Sequence, residues 1–144
     1  MPIMWIHPVL QTAAVLLSLY VLYLGFVRFR FAHLGHKGII FQWKRHVTQG
    51  TAVMITWALA FVIGLGAAWY TWKSVFITDL HYQGALLMLP LIAFGLGSGL
   101  VMDRVKAKRR LLPLAHGIVN AVLVLLALLQ LATGIFVLRD MVLG

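Results

Sequence analysis

Four stretches without a charged side chain, Met1–Val27, His46–Trp72, Leu80–Met102 and Leu111–Leu138, divide this chain of 144 residues. Each reaches the roughly 20 residues that a helix needs to cross the hydrocarbon of a bilayer. Hydrophobic residues make up 62% of the chain and charged ones 10%, and the mean hydropathy is +0.98. A soluble domain does not tolerate that balance on its surface, so the expected solvent is lipid. The expected fold is all-α: an integral membrane four-helix bundle of up-down-up-down topology, one domain over residues 1–144, with spans at about 6–27, 41–70, 80–102 and 112–138. The first 27 residues lack the basic start and small-residue cleavage site of a signal peptide, so they are expected to be retained as the first helix.

Twelve Lys and Arg stand against three acids, Asp79, Asp103 and Asp140, a net charge of +9 that invites a nucleic-acid reading. Placement argues against it. Arg28, Arg30, Lys37, Lys44 and Arg45 fall in the first connection, and Arg104, Lys106, Lys108, Arg109 and Arg110 in the third. The second connection has only Lys73 and the C-terminal end only Arg139. The positive-inside rule accounts for this distribution and puts the first and third connections in the cytoplasm and both termini outside. Trp5, Trp43, Trp69, Tyr70, Trp72 and Tyr82 lie near span ends, as an aromatic belt would. The segment from His36 to Arg45 reads either as an interfacial stretch or as the first turns of span two.

No cysteine is present. That removes disulfides, iron–sulfur clusters, thiolate-ligated haem and covalently attached haem together, and leaves any metal centre to the six histidines. Four of these, His7, His46, His81 and His116, stand near the start of the four spans. Because alternate spans run in opposite directions, His7 and His81 fall at the outer side, and His46 and His116 at the cytoplasmic side. Each pair belongs to diagonal helices, so a planar macrocycle ligated from both sides could lie between them. His33 and His36 sit in the basic connection and read as solvated, with an alternative inner ligand as the lesser reading. Gly25, Gly64, Gly99 and Gly134 each follow their own helix's histidine by 18 positions, five helical turns. Each is expected to leave space where its helix passes the other macrocycle; close helix packing without a cofactor is the plainer account. Gly95 and Gly97 extend the open face of span three, and Gly50, Gly84 and Gly117 lie close to histidines in sequence.

Cytochromes in which two helices each supply two histidines do not fit, because no span contains two. One histidine per helix, in four antiparallel spans, resembles the four-helix core of the cytochrome b561 superfamily, over nearly the whole chain from His7 to about Leu138. The resemblance is to the compact bacterial members, without the two flanking helices and ascorbate-site motifs of animal and plant ones. It implies that His7 and His81 ligate the iron of an outer haem, that His46 and His116 ligate that of an inner haem, and that both are non-covalent, bis-histidine haem b.

Two such haems leave no open axial position, which points to electron transfer rather than oxygen chemistry. Arg45, beside His46, and Arg109 or Arg110, before His116, are candidates to pair with inner propionates. Gln11 and Asn120 lie one turn beyond their histidines, near a haem face or a quinone, a candidate second cofactor; interhelical hydrogen bonding is their plainer role. Expected partners are the lipid membrane, a redox donor such as a quinol, and an acceptor; a homodimer or partner subunit is compatible with the pattern, and nucleic acid is not expected. The competing functions are a structural membrane anchor without haem and a small transporter; the latter usually needs charge inside the membrane, and no span has it.

Overall fold

The computed structural model describes residues 3–38 and 40–143. Met1 and Pro2, which open the first uncharged stretch, Ile39 in the His36–Arg45 segment, and Gly144 lie outside the described residues. Four helices follow in order: α1 (Ile3–His33), α2 (Trp43–Trp72), α3 (Leu80–Arg104) and α4 (Leu111–Val137), the last running into a π-helical segment, Leu138–Leu143. All four are long and apolar enough to cross a membrane. The architecture is the expected all-α, up-down-up-down four-helix bundle.

Helix ends depart from the charge boundaries. α1 continues through Arg28 and Arg30 to His33, six residues past the expected limit, because nothing stops it before the positive-φ glycines Gly35 (+67°) and Gly38 (+80°). Long cationic side chains at a helix end can reach out of the apolar layer, so their charge does not end the helix. The second helix begins at Trp43, and residues 40–42 before it are not helical. α2 ends on Lys73 in the left-handed conformation, its N–H donating to Trp69 O at 3.0 Å. The turn into α3 places Asp79 at φ +43° and ψ −118°, with His81 N donating to Thr78 O at 2.9 Å.

The helices form a ring in which each touches its two neighbours and the diagonal pairs, α1 with α3 and α2 with α4, stay apart. The α1–α2 and α3–α4 hairpins are packed most extensively, and the seams between hairpins are looser. The lower end is here the one where α1 finishes and α2 begins. Across it Lys106 Nζ sits 3.3 Å from the centre of the Trp43 ring, tying the third connection to the foot of α2.

One stripe per helix builds the interior. Seven residues beyond the four histidines stand Ala14, Val53, Met88 and Leu123, and eleven beyond them Ser18, Trp57, Ile92 and Ala127; all eight are buried. Steps of 7, 11 and 18 residues all close on whole turns of a helix with 3.6 residues per turn, so each histidine shares the inward face of its helix. Trp57, 1% exposed, and Leu123, fully buried, lie at the centre of this core. Elsewhere the surface is apolar, with Leu16, Val62, Leu125 and Ile135 all more than 60% exposed, as lipid-facing positions are.

Candidate functional site

The structure brings the four histidines together in two pairs, one at each end of the core. His7 and His81 meet at the upper end with ring centres 6.1 Å apart and planes at 88°. His46 and His116 meet at the lower end with ring centres 6.3 Å apart and planes at 71°. Each pair joins diagonal helices, whose backbones stay apart.

The Nδ1 atom of every ring faces a polar atom of the other helix in its own hairpin. His7 Nδ1 lies 2.7 Å from Ala60 O and His46 Nδ1 3.3 Å from Val21 O. A carbonyl can only accept, so both rings carry their proton on Nδ1 and present Nε2 as a bare lone pair. His116 Nδ1 lies 2.8 Å from Ser98 Oγ, and that hydroxyl already donates to Phe94 O at 2.6 Å, so it too accepts from the imidazole. His81 Nδ1 lies 3.0 Å from Thr133 Oγ1 and 2.9 Å from the Gln130 side-chain amide, whose N–H donates to it, so this ring is not held to the Nδ1–H tautomer of the other three.

The spaced glycines seat these rings. A Cβ added at Gly64 would stand 2.8 Å from His7 Cε1, one at Gly134 3.2 Å from His81 Cε1, and one at Gly25 or Gly99 3.4 Å from Cε1 of His46 or His116. Each glycine therefore lies against the histidine of its hairpin partner at the same depth. That differs from the expectation of open space: the room a missing side chain leaves is taken by the neighbouring imidazole. Gly84 and Gly95 lie under the side chains of Gln130 and Asn120, Gly50 packs against Val21, and Gly97 and Gly117 face nothing within 4 Å, so the last two have no part in close packing.

Other candidates stand further off. Arg45 is exposed on the first turn of α2, beside Gln42, Trp43 and Lys44 around a shallow surface hollow. The Arg109 guanidinium is turned to Val105 O at 2.8 Å. His33 and His36 are exposed, the first against the Phe29 ring and the second accepting from Arg30 at 3.3 Å. Asn120 binds within its own helix, Nδ2 to His116 O at 2.7 Å, rather than between helices, and its buried Oδ1 has no partner.

Sequence reasoning passed over Ser98, Thr133 and Gln130 as histidine partners. A signal for two of them exists: Ser98 and Thr133 each immediately precede a spaced glycine, Gly99 and Gly134. The two hairpins also repeat one another: His7 and Gly25 recur 74 positions on as His81 and Gly99, and His46 and Gly64 recur 70 positions on as His116 and Gly134.

Chemically, each pair offers two imidazoles, with Nε2 the bare nitrogen of His7, His46 and His116. Among the described residues no three His, Cys, Asp or Glu converge as a metal site. A bare ion held by protein alone would want a fuller ligand set. A macrocycle that brings its own equatorial nitrogens needs only two axial ones, and two imidazole–metal bonds of about 2.0–2.1 Å set the ring centres roughly 6.3 Å apart. The observed centre separations of 6.1 and 6.3 Å match that spacing. No family model, curated protein or solved structure matches the chain.

Proposed function

We propose that the protein is a di-haem b-type membrane cytochrome that moves electrons between the two faces of a membrane. The observation that carries this reading is the pairing of His7 with His81 and His46 with His116, at separations suited to one iron each, with Nδ1 tied back to a neighbouring helix. Bound there, haem supplies one-electron exchange between ferric and ferrous iron. The chain's own residues hold each imidazole in place, Ala60 and Val21 through backbone carbonyls and Ser98 and Thr133 through hydroxyls, and in His7, His46 and His116 they also fix the tautomer. The core from Ala14 to Ala127 keeps water out between the two levels.

The membrane proposed is the cytoplasmic one. The two basic connections face the cytoplasm, which places the His46–His116 site on the inner side and the His7–His81 site, with both termini, on the outer side. A quinol or another donor would give up electrons on one side, one at a time, and an acceptor would take them on the other. A transport role is less well supported, because no charged side chain lies between the histidine levels, where the buried polar groups include Ser18, the Trp57 nitrogen and Asn120 Oδ1.

The deciding experiment is a reduced-minus-oxidised visible spectrum with a pyridine haemochrome assay on the detergent-purified protein. Two haem b per chain is the expected result. A colourless protein from haem-replete cells would leave the anchor reading in its place.

A further inference from the structure

The two hairpins hold their histidines by different chemistry at equivalent positions. In α1–α2 the acceptors are backbone carbonyls four residues before the glycine: Ala60 O before Gly64 for His7, and Val21 O before Gly25 for His46. The equivalent carbonyls in α3–α4 belong to Gly95, before Gly99, and Gln130, before Gly134. There a hydroxyl enters: for His116 it takes the place of the carbonyl, whereas His81 keeps the Gln130 carbonyl beside it. Ser98 Oγ lies 3.3 Å from Gly95 O and 2.6 Å from Phe94 O, and takes His116 Nδ1 at 2.8 Å. Thr133 Oγ1 lies 3.3 Å from Gln130 O and 3.0 Å from His81 Nδ1. In the first hairpin the residues at the positions of Ser98 and Thr133 are Leu24 and Ile63, which offer no hydroxyl.

We infer that Ser98 is a positioning residue that sets the donor strength of His116, and so the reduction potential of the lower site alone. The inference rests on the haem reading above. Ser98 is 7% exposed, and its hydroxyl proton is committed to the backbone of α3, so its lone pair is aimed at His116. His116 has this one polar neighbour at Nδ1, whereas His81 has Thr133 and both the side-chain amide and the backbone carbonyl of Gln130. The lower site is therefore the one where a single side chain controls an axial ligand.

The sign follows from the chemistry of imidazole. An acceptor at Nδ1–H pushes electron density toward Nε2 and raises ligand basicity, which favours ferric over ferrous iron. Removing it weakens the ferric state more. Loss of such an outer partner typically weakens metal binding by roughly 10- to 100-fold. Each tenfold that falls on the ferric state alone raises a one-electron potential by about 59 mV.

The experiment is a spectroscopic redox titration of full-length wild type, Ser98→Ala, Ser98→Thr and Thr133→Val, each with its haem content. In Ser98→Ala the potential of one haem rises and the other stays at its wild-type value; Ser98→Thr, which keeps the hydroxyl, restores it. Thr133→Val leaves the haem that responds to Ser98 unmoved. Two haems per chain with both potentials unchanged in Ser98→Ala would overturn the role of Ser98 and leave the haem reading standing. A shift that Ser98→Thr fails to restore would also overturn it, by tracing the effect to packing. Independently of any variant, haem-free wild type labelled with 15N-histidine should show His116 protonated on Nδ1; the Nε2–H tautomer would overturn the inference. A wild type that binds no haem at all defeats the functional reading instead, and the tautomer measurement separates the two.

Discussion

The backbone of Gly64 on α2 lies against the imidazole of His7 on α1: a methyl group placed there would stand 2.8 Å from Cε1 and 2.9 Å from Nδ1 of the ring. The ring cannot simply step aside, because Nδ1 is held to Ala60 O at 2.7 Å. Gly64→Ala must therefore break that hydrogen bond or part the hairpin. The corresponding distances are 3.2 Å at Gly134 and 3.4 Å at Gly25 and Gly99, where a methyl group fits more nearly. The four alanine variants should rank accordingly, with Gly64→Ala losing haem from the His7–His81 site, Gly134→Ala weakening it and the other two close to wild type. Haem per chain and the visible spectrum of each variant check the order. Equal effects from all four would disconnect the glycines from the imidazoles.

Loss of a histidine should be local. The two pairs lie at opposite ends of the core, with Trp57 and Leu123 packed between them. His46→Ala or His116→Ala should remove one haem and spare the other, and His7→Ala or His81→Ala should remove the complementary one. The check is spectral subtraction with haem stoichiometry. Loss of both haems from every variant would speak against two separable sites.

How far the sequence carries differs between these features. The four spans are legible because a run without charge has one inexpensive home, the bilayer, and the pairing of histidines by depth follows from alternating helix direction alone. Helix ends are not legible: Arg28 and Arg30 look like a boundary, but α1 stops only where Gly35 and Gly38 adopt positive φ. The spacing of Gly25, Gly64, Gly99 and Gly134 is visible in one dimension, yet what fills the space is fixed by which helix packs alongside. Ser98 and Thr133 look like any small polar residue in a membrane helix. Their meaning depends on an imidazole contributed by another helix at the same depth.

Trp57 gives a prediction about packing that is independent of any cofactor. It is 1% exposed, and its Nε1–H has no acceptor, so the residue combines a large buried surface with an unpaired donor. Trp57→Ala removes the volume and should cost about 3–5 kcal/mol. Trp57→Phe keeps much of the ring while deleting the unpaired N–H, and should cost under about 1.5 kcal/mol. Thermal unfolding in one detergent at fixed protein concentration compares them. A Phe variant as damaged as the Ala one would mean that the indole N–H finds a partner, with water the first candidate.

Asp79 sits at φ +43° and ψ −118°, a conformation that glycine adopts without penalty and that other residues hold at a cost of order 1–3 kcal/mol. The turn is required because it delivers His81 to the first turn of α3, with His81 N bonded to Thr78 O. Asp79→Gly relieves the strain but gains freedom in the unfolded chain worth about 0.5–1 kcal/mol, so the net expectation is a stabilisation of about 1 kcal/mol. Thermal unfolding measures it, and a lowered midpoint would show that the aspartate side chain contributes more than the strain removes.

Sidedness can be tested cleanly because the chain has no cysteine, so any introduced thiol reports alone. Lys37 and Lys108 lie in the first and third connections, which carry ten of the twelve basic residues with the adjoining helix ends, and Lys73 closes α2 at the opposite end. The positive-inside rule then places Lys37→Cys and Lys108→Cys in the cytoplasm and Lys73→Cys outside. A membrane-impermeant maleimide applied to intact spheroplasts should label only the last of these, and all three after lysis. The reverse pattern would invert the topology and exchange the sides assigned to the two histidine pairs, while leaving the pairs themselves untouched, because their geometry depends on the bundle and not on its orientation.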